Sequence, residues 1–169
     1  RNFVLGFLRW MNNSAYTCKL IADIDLDSYS EVNKSRVIII IGHSEYWTRQ
    51  ARLNFDKFVD AGKNALVLSG NTMWWQVRYS KDKTQLICYK DKQQDTVLNP
   101  LLKTINWTDN SLQYPVINSI GAQFTYGGYG EKPDNGWDGY KIINEKSPIL
   151  ANTGLKKGDI LPCPTHEYD

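Results

Sequence analysis

The chain has 169 residues, 41% hydrophobic and 22% charged, enough for one domain with a buried core. Its 20 basic and 18 acidic side chains leave a formal charge of +2, which excludes the electrostatic footprint of a nucleic-acid or anionic-membrane binder. No apolar run approaches the roughly 20 residues of a membrane-spanning helix. Cys18, Cys88 and Cys163 match neither a closed disulfide framework nor a zinc spacing, and they read as reduced thiols, which favours the cytoplasm. No stretch of the sequence reads as a signal peptide. The chain opens at Arg1 inside a periodic pattern and reads as a piece of a longer protein.

Phe3, Val4, Phe7, Leu8 and Met11 recur at helical spacing and predict an amphipathic helix over 2–13, stopped by Asn12-Asn13-Ser14. Residues 16–24 read as a strand ending in Asp23, Asp25 and Asp27. That cluster lacks the glycine and glutamate offsets of a calcium loop and fits a solvated strand exit better. Ser28 and Glu31 form a capping-box pattern for a short helix. The consecutive β-branched residues of 37–41 predict a strand ended by Gly42, and their unbroken apolarity predicts burial on both faces. A helix follows over 48–61, with Ala51, Phe55, Phe58 and Val59 as its buried stripe and Gly62 as its stop. Residues 64–68 are a second buried strand, closed by Ser69-Gly70-Asn71.

Alternating strands and helices over 16–70 predict an α/β three-layer sandwich with a mainly parallel sheet, covered on both faces. Ligands in such sheets sit at the carboxyl ends of the strands. Three strand ends then deliver Asp23 and Asp25, His43 and Glu45, and Asn71 to one edge. Beyond Asn71, residues 84–89 read as a strand and 97–125 as a punctuated stretch of short elements. Residues 126–140 read as a long glycine-rich loop, either a lid or a disordered stretch. Trp74 and Trp75 are candidates for a pocket wall or for the core.

Gly42-His43-Ser44-Glu45-Tyr46 invites three chemical readings. A nucleophile elbow with Ser44 would need a small residue where Tyr46 stands. A glutamine amidotransferase would need a cysteine at the elbow, and none is near. The third reading takes Glu45 as a hard oxygen ligand for iron or another divalent metal, with His43 as a neighbouring donor or proton shuttle. A polar strand end without chemistry competes with all three.

Residues 38–79, with their Gly-His-Ser-Glu-Tyr-Trp-Thr segment, a helix ending in Gly62 and Gly70-Asn71 before Trp74-Trp75, resemble the core of the N,N-dimethylformamidase large-subunit family. The segment 7–28 resembles that family's entry helix and strand, and Thr165-His166-Glu167-Tyr168-Asp169 is similar to its downstream Gly-x-Glu-x-Asp motif, with His166 at the glycine position. The resemblance implies a class I glutamine amidotransferase-like fold, here as one domain over 1–169. It implies a mononuclear iron with Glu45 as a ligand and His43 beside it. Asn71 would then orient the amide or stabilise charge on its oxygen, Lys90 would lie at the pocket wall, and Glu167 would be the general base for the attacking water. The family's tyrosine ligands belong to a region with no counterpart in this chain, so the site is expected to be incomplete within it. The partners implied are a small amide substrate and either the remainder of a longer chain or a small subunit, with self-association left open. The alternative function is a non-catalytic binding module of the same fold, with glycans as candidate ligands for its aromatics.

Overall fold

The computed structural model describes residues 4–129, 139–162 and 167–169. Helix α1 (Leu5–Asn12) turns Met11 inward, and the Ser14 hydroxyl closes its end by donating to the Met11 carbonyl at 2.7 Å. The strand expected over 16–24 does not form. Residues 16–22 run exposed outside any ladder, and Asp23–Asp27 wind into a 3-10 turn whose Asp25 carboxylate accepts from the Ala22 N–H at 2.8 Å. Short acidic side chains that bond nearby backbone compete with strand pairing, and here the local bond wins. Helix α2 (Tyr29–Val32) follows Ser28 as expected, although the Ser28 side chain meets Ser30 and makes no cap.

Strands β1 (Val37–His43) and β3 (Asn64–Gly70) pair in parallel, in register from Val37 opposite Asn64 to His43 opposite Gly70. Gly42 does not end β1. It takes φ +84°, a conformation open to glycine without a Cβ clash, and the ladder continues to His43. Burial on both faces is not found. Ile38 and Ile40 enter the core, whereas Val37 is 42% exposed and Ile39, Leu66 and Leu68 share that open face. The β-branched run therefore reflects strand preference rather than double burial.

Helix α3 (Arg49–Asp60) begins where the Thr48 side chain accepts from the Ala51 N–H at 2.9 Å. Ala51, Phe55 and Phe58 are buried as expected, but Val59 faces outward and Arg52 is fully enclosed in the core. The Arg52 guanidinium lies over Trp107 at 4.3 Å and Tyr114 at 3.9 Å. It donates to the carbonyls of Tyr114 and Pro115 and to Ser119 Oγ. Burial lowers its pKa to about 10, so it stays charged at neutral pH, with aromatic faces and carbonyls replacing water.

Strand β2 (Tyr46–Thr48) pairs in parallel with β4 (Trp75–Tyr79), and β4 pairs antiparallel with β5 (Leu86–Ile87), all that forms of the strand expected over 84–89. After the short helix α4 (Ile117–Ile120), β6 (Gly128–Tyr129) pairs antiparallel with β9 (Glu167–Tyr168). In the same way β7 (Tyr140–Lys141) pairs with β8 (Ile160–Leu161). The fold is α/β with small mixed sheets, and its parallel pairing is β1 with β3 and β2 with β4. Trp47, Phe55, Phe58, Met73, Ile105, Trp107 and Leu112 fill the core between α3 and the strands.

A second buried centre organises the segment after β5. The enclosed Asp95 carboxylate accepts from both terminal nitrogens of Arg78, at 2.6 and 3.0 Å. It also accepts from the Val97 N–H and from the N–H and hydroxyl of Thr104. Thr104 in turn accepts from the N–H groups of Tyr89 and Lys90, which fixes Lys90 on the fold. No helix among the described residues is long and apolar enough to cross a membrane.

Candidate active site

His43 closes β1 with its ring held from both sides. Nε2 lies 2.9 Å from Glu45 Oε2, and Nδ1 lies 2.5 Å from Glu167 Oε2. Glu45 enters β2, where its carbonyl accepts from the Trp75 N–H at 2.9 Å, so its backbone is anchored while its carboxylate turns back to His43. An imidazole with two protons donates to both carboxylates; with one, it donates to one and accepts from the acid form of the other. In either state the ring bridges Glu45 and Glu167. Both carboxylates are largely covered, while the His43 side chain is 37% exposed and open to a small molecule.

Glu167 arrives from a distant part of the chain, and two glycines make room for it. A Cβ on Gly70 would overlap the Glu167 carbonyl, and one on Gly127 would overlap the Tyr168 carbonyl. β9 therefore passes through a slot with backbone on both sides. The Tyr129 hydroxyl, on the partner strand β6, hydrogen-bonds Glu167, and that bond to a carboxylate is the main reason its pKa is raised. Phe124 packs edge-on against both Tyr129, at 6.1 Å, and Trp74, at 5.5 Å, giving the site an aromatic flank.

Asn71 follows Gly70 at φ +52°, buried, with no hydrogen-bond partner for its Oδ1 among the described residues. Next to it, the Thr72 N–H donates to both carboxylate oxygens of Asp169, at 3.1 and 3.2 Å. Burial raises the Asp169 pKa, against the lowering effect of the Thr72 and Asn71 N–H groups. Lys90 donates to the Tyr46 hydroxyl at 2.9 Å, with its ammonium 4.8 Å from the Trp75 ring centre. That hydrogen bond, with the nearby charge of Glu45 among the lesser causes, raises its pKa and keeps it cationic.

The structure thus brings His43, Glu45 and Glu167 into contact, and the β1–β3 register sets Asn71 one residue past the partner of His43. The acidic cluster does not join them. Asp27 accepts from Thr48, and Asp23, Asp27 and Asp25 all act on Tyr79, at the other end of the β2–β4 pair. Ser44 lies between β1 and β2: its carbonyl accepts from the Met73 N–H, and its Oγ accepts from the Trp47 indole at 2.9 Å. Trp74 and Trp75 are both half-buried, shared between core and surface. Cys18 and Cys88 are free thiols. Cys163, His166 and 130–138 of the glycine-rich loop lie outside the described residues. Sequence reasoning missed Tyr129 and the contact made by Asp169. The second had a signal, because Glu167 and Asp169 stand two apart in sequence, the repeat of one face of an extended chain.

Iron fits these residues poorly. Both Glu45 and Glu167 spend an oxygen on His43, and among the described residues no three or more His, Cys, Asp or Glu side chains are grouped to hold a metal. A tight mononuclear centre wants at least about three protein ligands. The described residues alone do not make one.

What the geometry defines is an α/β fold in which a histidine meets two carboxylates at the end of a parallel β pair. The family model described as N,N-dimethylformamidase beta subunit-like, C-terminal, matches residues 4–169, and the chain belongs to that family. Membership supports hydrolase chemistry at the level of the family, and the beta-subunit description implies a longer or multi-subunit parent. No curated protein matches the chain in sequence.

Proposed function

We propose that this domain takes part in hydrolysis of the C–N bond of a small amide. The observation that carries the reading is the His43 ring held between the carboxylates of Glu45 and Glu167. Glu167 takes a proton from water as the water oxygen bonds to the amide carbon, and the carbonyl π pair moves onto oxygen. The buried Asn71 amide donates to that oxygen, and the Lys90 cation at the Tyr46 wall favours the developing negative charge. Collapse re-forms the carbonyl and breaks the C–N bond, and the proton held on Glu167, relayed by His43, goes to the leaving nitrogen. The products are a carboxylic acid and an amine, with no covalent acyl-enzyme.

Iron belongs to the proposal only through Glu45, which would supply one carboxylate to a metal whose other ligands come from elsewhere in a longer chain or a subunit. The amidotransferase-like three-layer architecture belongs to it too. The parallel β1–β3 pair with α3 on one face, and Val37, Ile39, Leu66 and Leu68 left open on the other, supports a frame with a further covering layer.

The experiment is amine release from N,N-dimethylformamide and other small amides by the full parent protein, with Glu167→Gln and His43→Asn as variants. The reading expects turnover lost by roughly 10²-fold or more in Glu167→Gln, the usual scale for a general base. Wild-type turnover unchanged by both variants removes it. Sugar binding without any amine release replaces it with the binding-module alternative.

A further inference from the structure

We infer that Asp169 is a positioning residue, whose carboxylate, held by the backbone N–H groups of Asn71 and Thr72, latches β9 in the one register that brings Glu167 to His43.

Little else fixes that register. The β6–β9 ladder is two residues long, with Gly128 opposite Tyr168 and Tyr129 opposite Glu167. So short a ladder specifies register weakly, and a slip of one residue would turn Glu167 to the opposite face. The glycine slot confines β9 sideways, but backbone beside backbone does not stop it sliding along its own axis. Asp169 supplies that stop. It directly follows β9, two residues past Glu167, and its two oxygens sit 3.1 and 3.2 Å from the Thr72 nitrogen.

The receiving loop is shaped for the purpose. Asn71 and Met73 both take left-handed backbone conformations, at φ +52° and +54°, which is uncommon outside glycine and turns successive N–H groups toward one anion. Thr72 braces the loop by donating its hydroxyl to the Ser69 carbonyl at 3.1 Å. Burial raises the Asp169 pKa in spite of these donors, so ionising it there costs more than in water.

The test has two arms on the full parent protein, using Asp169→Ala, Asp169→Asn and Glu167→Gln. The first follows the His43 ring nitrogens by ¹⁵N NMR, assigned against His43→Asn. Asp169→Ala is expected to move the Nδ1 signal to where Glu167→Gln puts it, while Asp169→Asn, which keeps an acceptor for the Thr72 N–H, stays near wild type. The second arm rests on the proposed amide hydrolysis. Asp169→Ala should lower kcat by roughly 10- to 100-fold, the scale of a misplaced catalytic group, with KM little changed. Adding Asp169→Ala to Glu167→Gln should cause no further loss, because both act through one group. Asp169→Ala with wild-type His43 signals overturns the latch. Wild-type protein without amide turnover overturns the reaction instead, and the ring signals still decide the latch.

Discussion

Replacing Asp95 with alanine should cost this fold more than any comparable change at its surface. The carboxylate accepts five hydrogen bonds, two from Arg78, two from Thr104 and one from Val97, while almost wholly enclosed. Burial alone would raise its pKa, but the Arg78 guanidinium and the Thr104 and Val97 donors overcome that and hold it well below the usual carboxylate range. In Asp95→Ala, Arg78 keeps its bond to the Leu102 carbonyl at 2.7 Å, but the N–H of Thr104 is left buried and unpaired. Breaking a buried ion pair from one side costs about 3–5 kcal/mol. Domains are stable by only about 5–15 kcal/mol, so that loss is a large fraction of the total. At about 2–4 °C per kcal/mol for a chain of this size, the melting temperature should fall by roughly 6–20 °C. The assay is urea unfolding followed by circular dichroism, with Glu31→Ala as control, since its pair with Lys19 is exposed and should matter little. The sign with pH follows from the lowered pKa: the Asp95 contribution is present above the unfolded value near 3.8 and is lost as pH falls below it. A loss under about 1 kcal/mol, the scale of a surface pair, would refute the account of Asp95 as a structural hub.

Ser44→Ala should leave amide turnover by the parent intact, and a serine-reactive phosphonate should not label Ser44, because its Oγ accepts from the Trp47 indole; stoichiometric labelling would overturn the acid–base reading. Gly70→Ala should displace β9, since the new Cβ falls on the Glu167 carbonyl, and the His43 Nδ1 signal should change as it does in Glu167→Gln. Thr48→Ala should destabilise by about 1 kcal/mol, the usual worth of a helix N-cap, as read by thermal melting. Asp169→Asn should be more favourable relative to wild type at pH 6.5 than at pH 3.5. A raised carboxyl pKa contributes stability below the unfolded value and loses it as pH rises through the folded one.

Much of the central fold was legible. The β-branched run of 37–41 and the Ala51-Phe55-Phe58 stripe read directly as β1 and α3, because each reflects forces acting within a few residues. Residues 16–24 misled because apolar Leu20 and Ile21 imitate a strand, and whether a strand forms depends on a partner the local sequence does not show. Arg52 escaped for the opposite reason: its burial depends on Trp107 and Tyr114, more than fifty residues away. His43 and Glu45 stood out as a pair next to a strand end, whereas Glu167 came only from family resemblance. Tyr129 meets it through a β6–β9 pairing that no short-range pattern encodes.

The glycine slot that admits β9 also sets an order of assembly. β1, α3 and β3 can close early, because Val37 and Asn64 meet across one helix, whereas the contact of Thr72 with Asp169 spans 97 residues. Loop-closure entropy delays such long-range contacts until the nearer ones can reward them. Glu167 is thus seated late, into a groove that exists only once β3 and the turn at Gly127 are in place. A partly folded chain can carry its central strands and helix and still lack the carboxylate on which the proposed chemistry depends, so competence at this site reports completion of the fold.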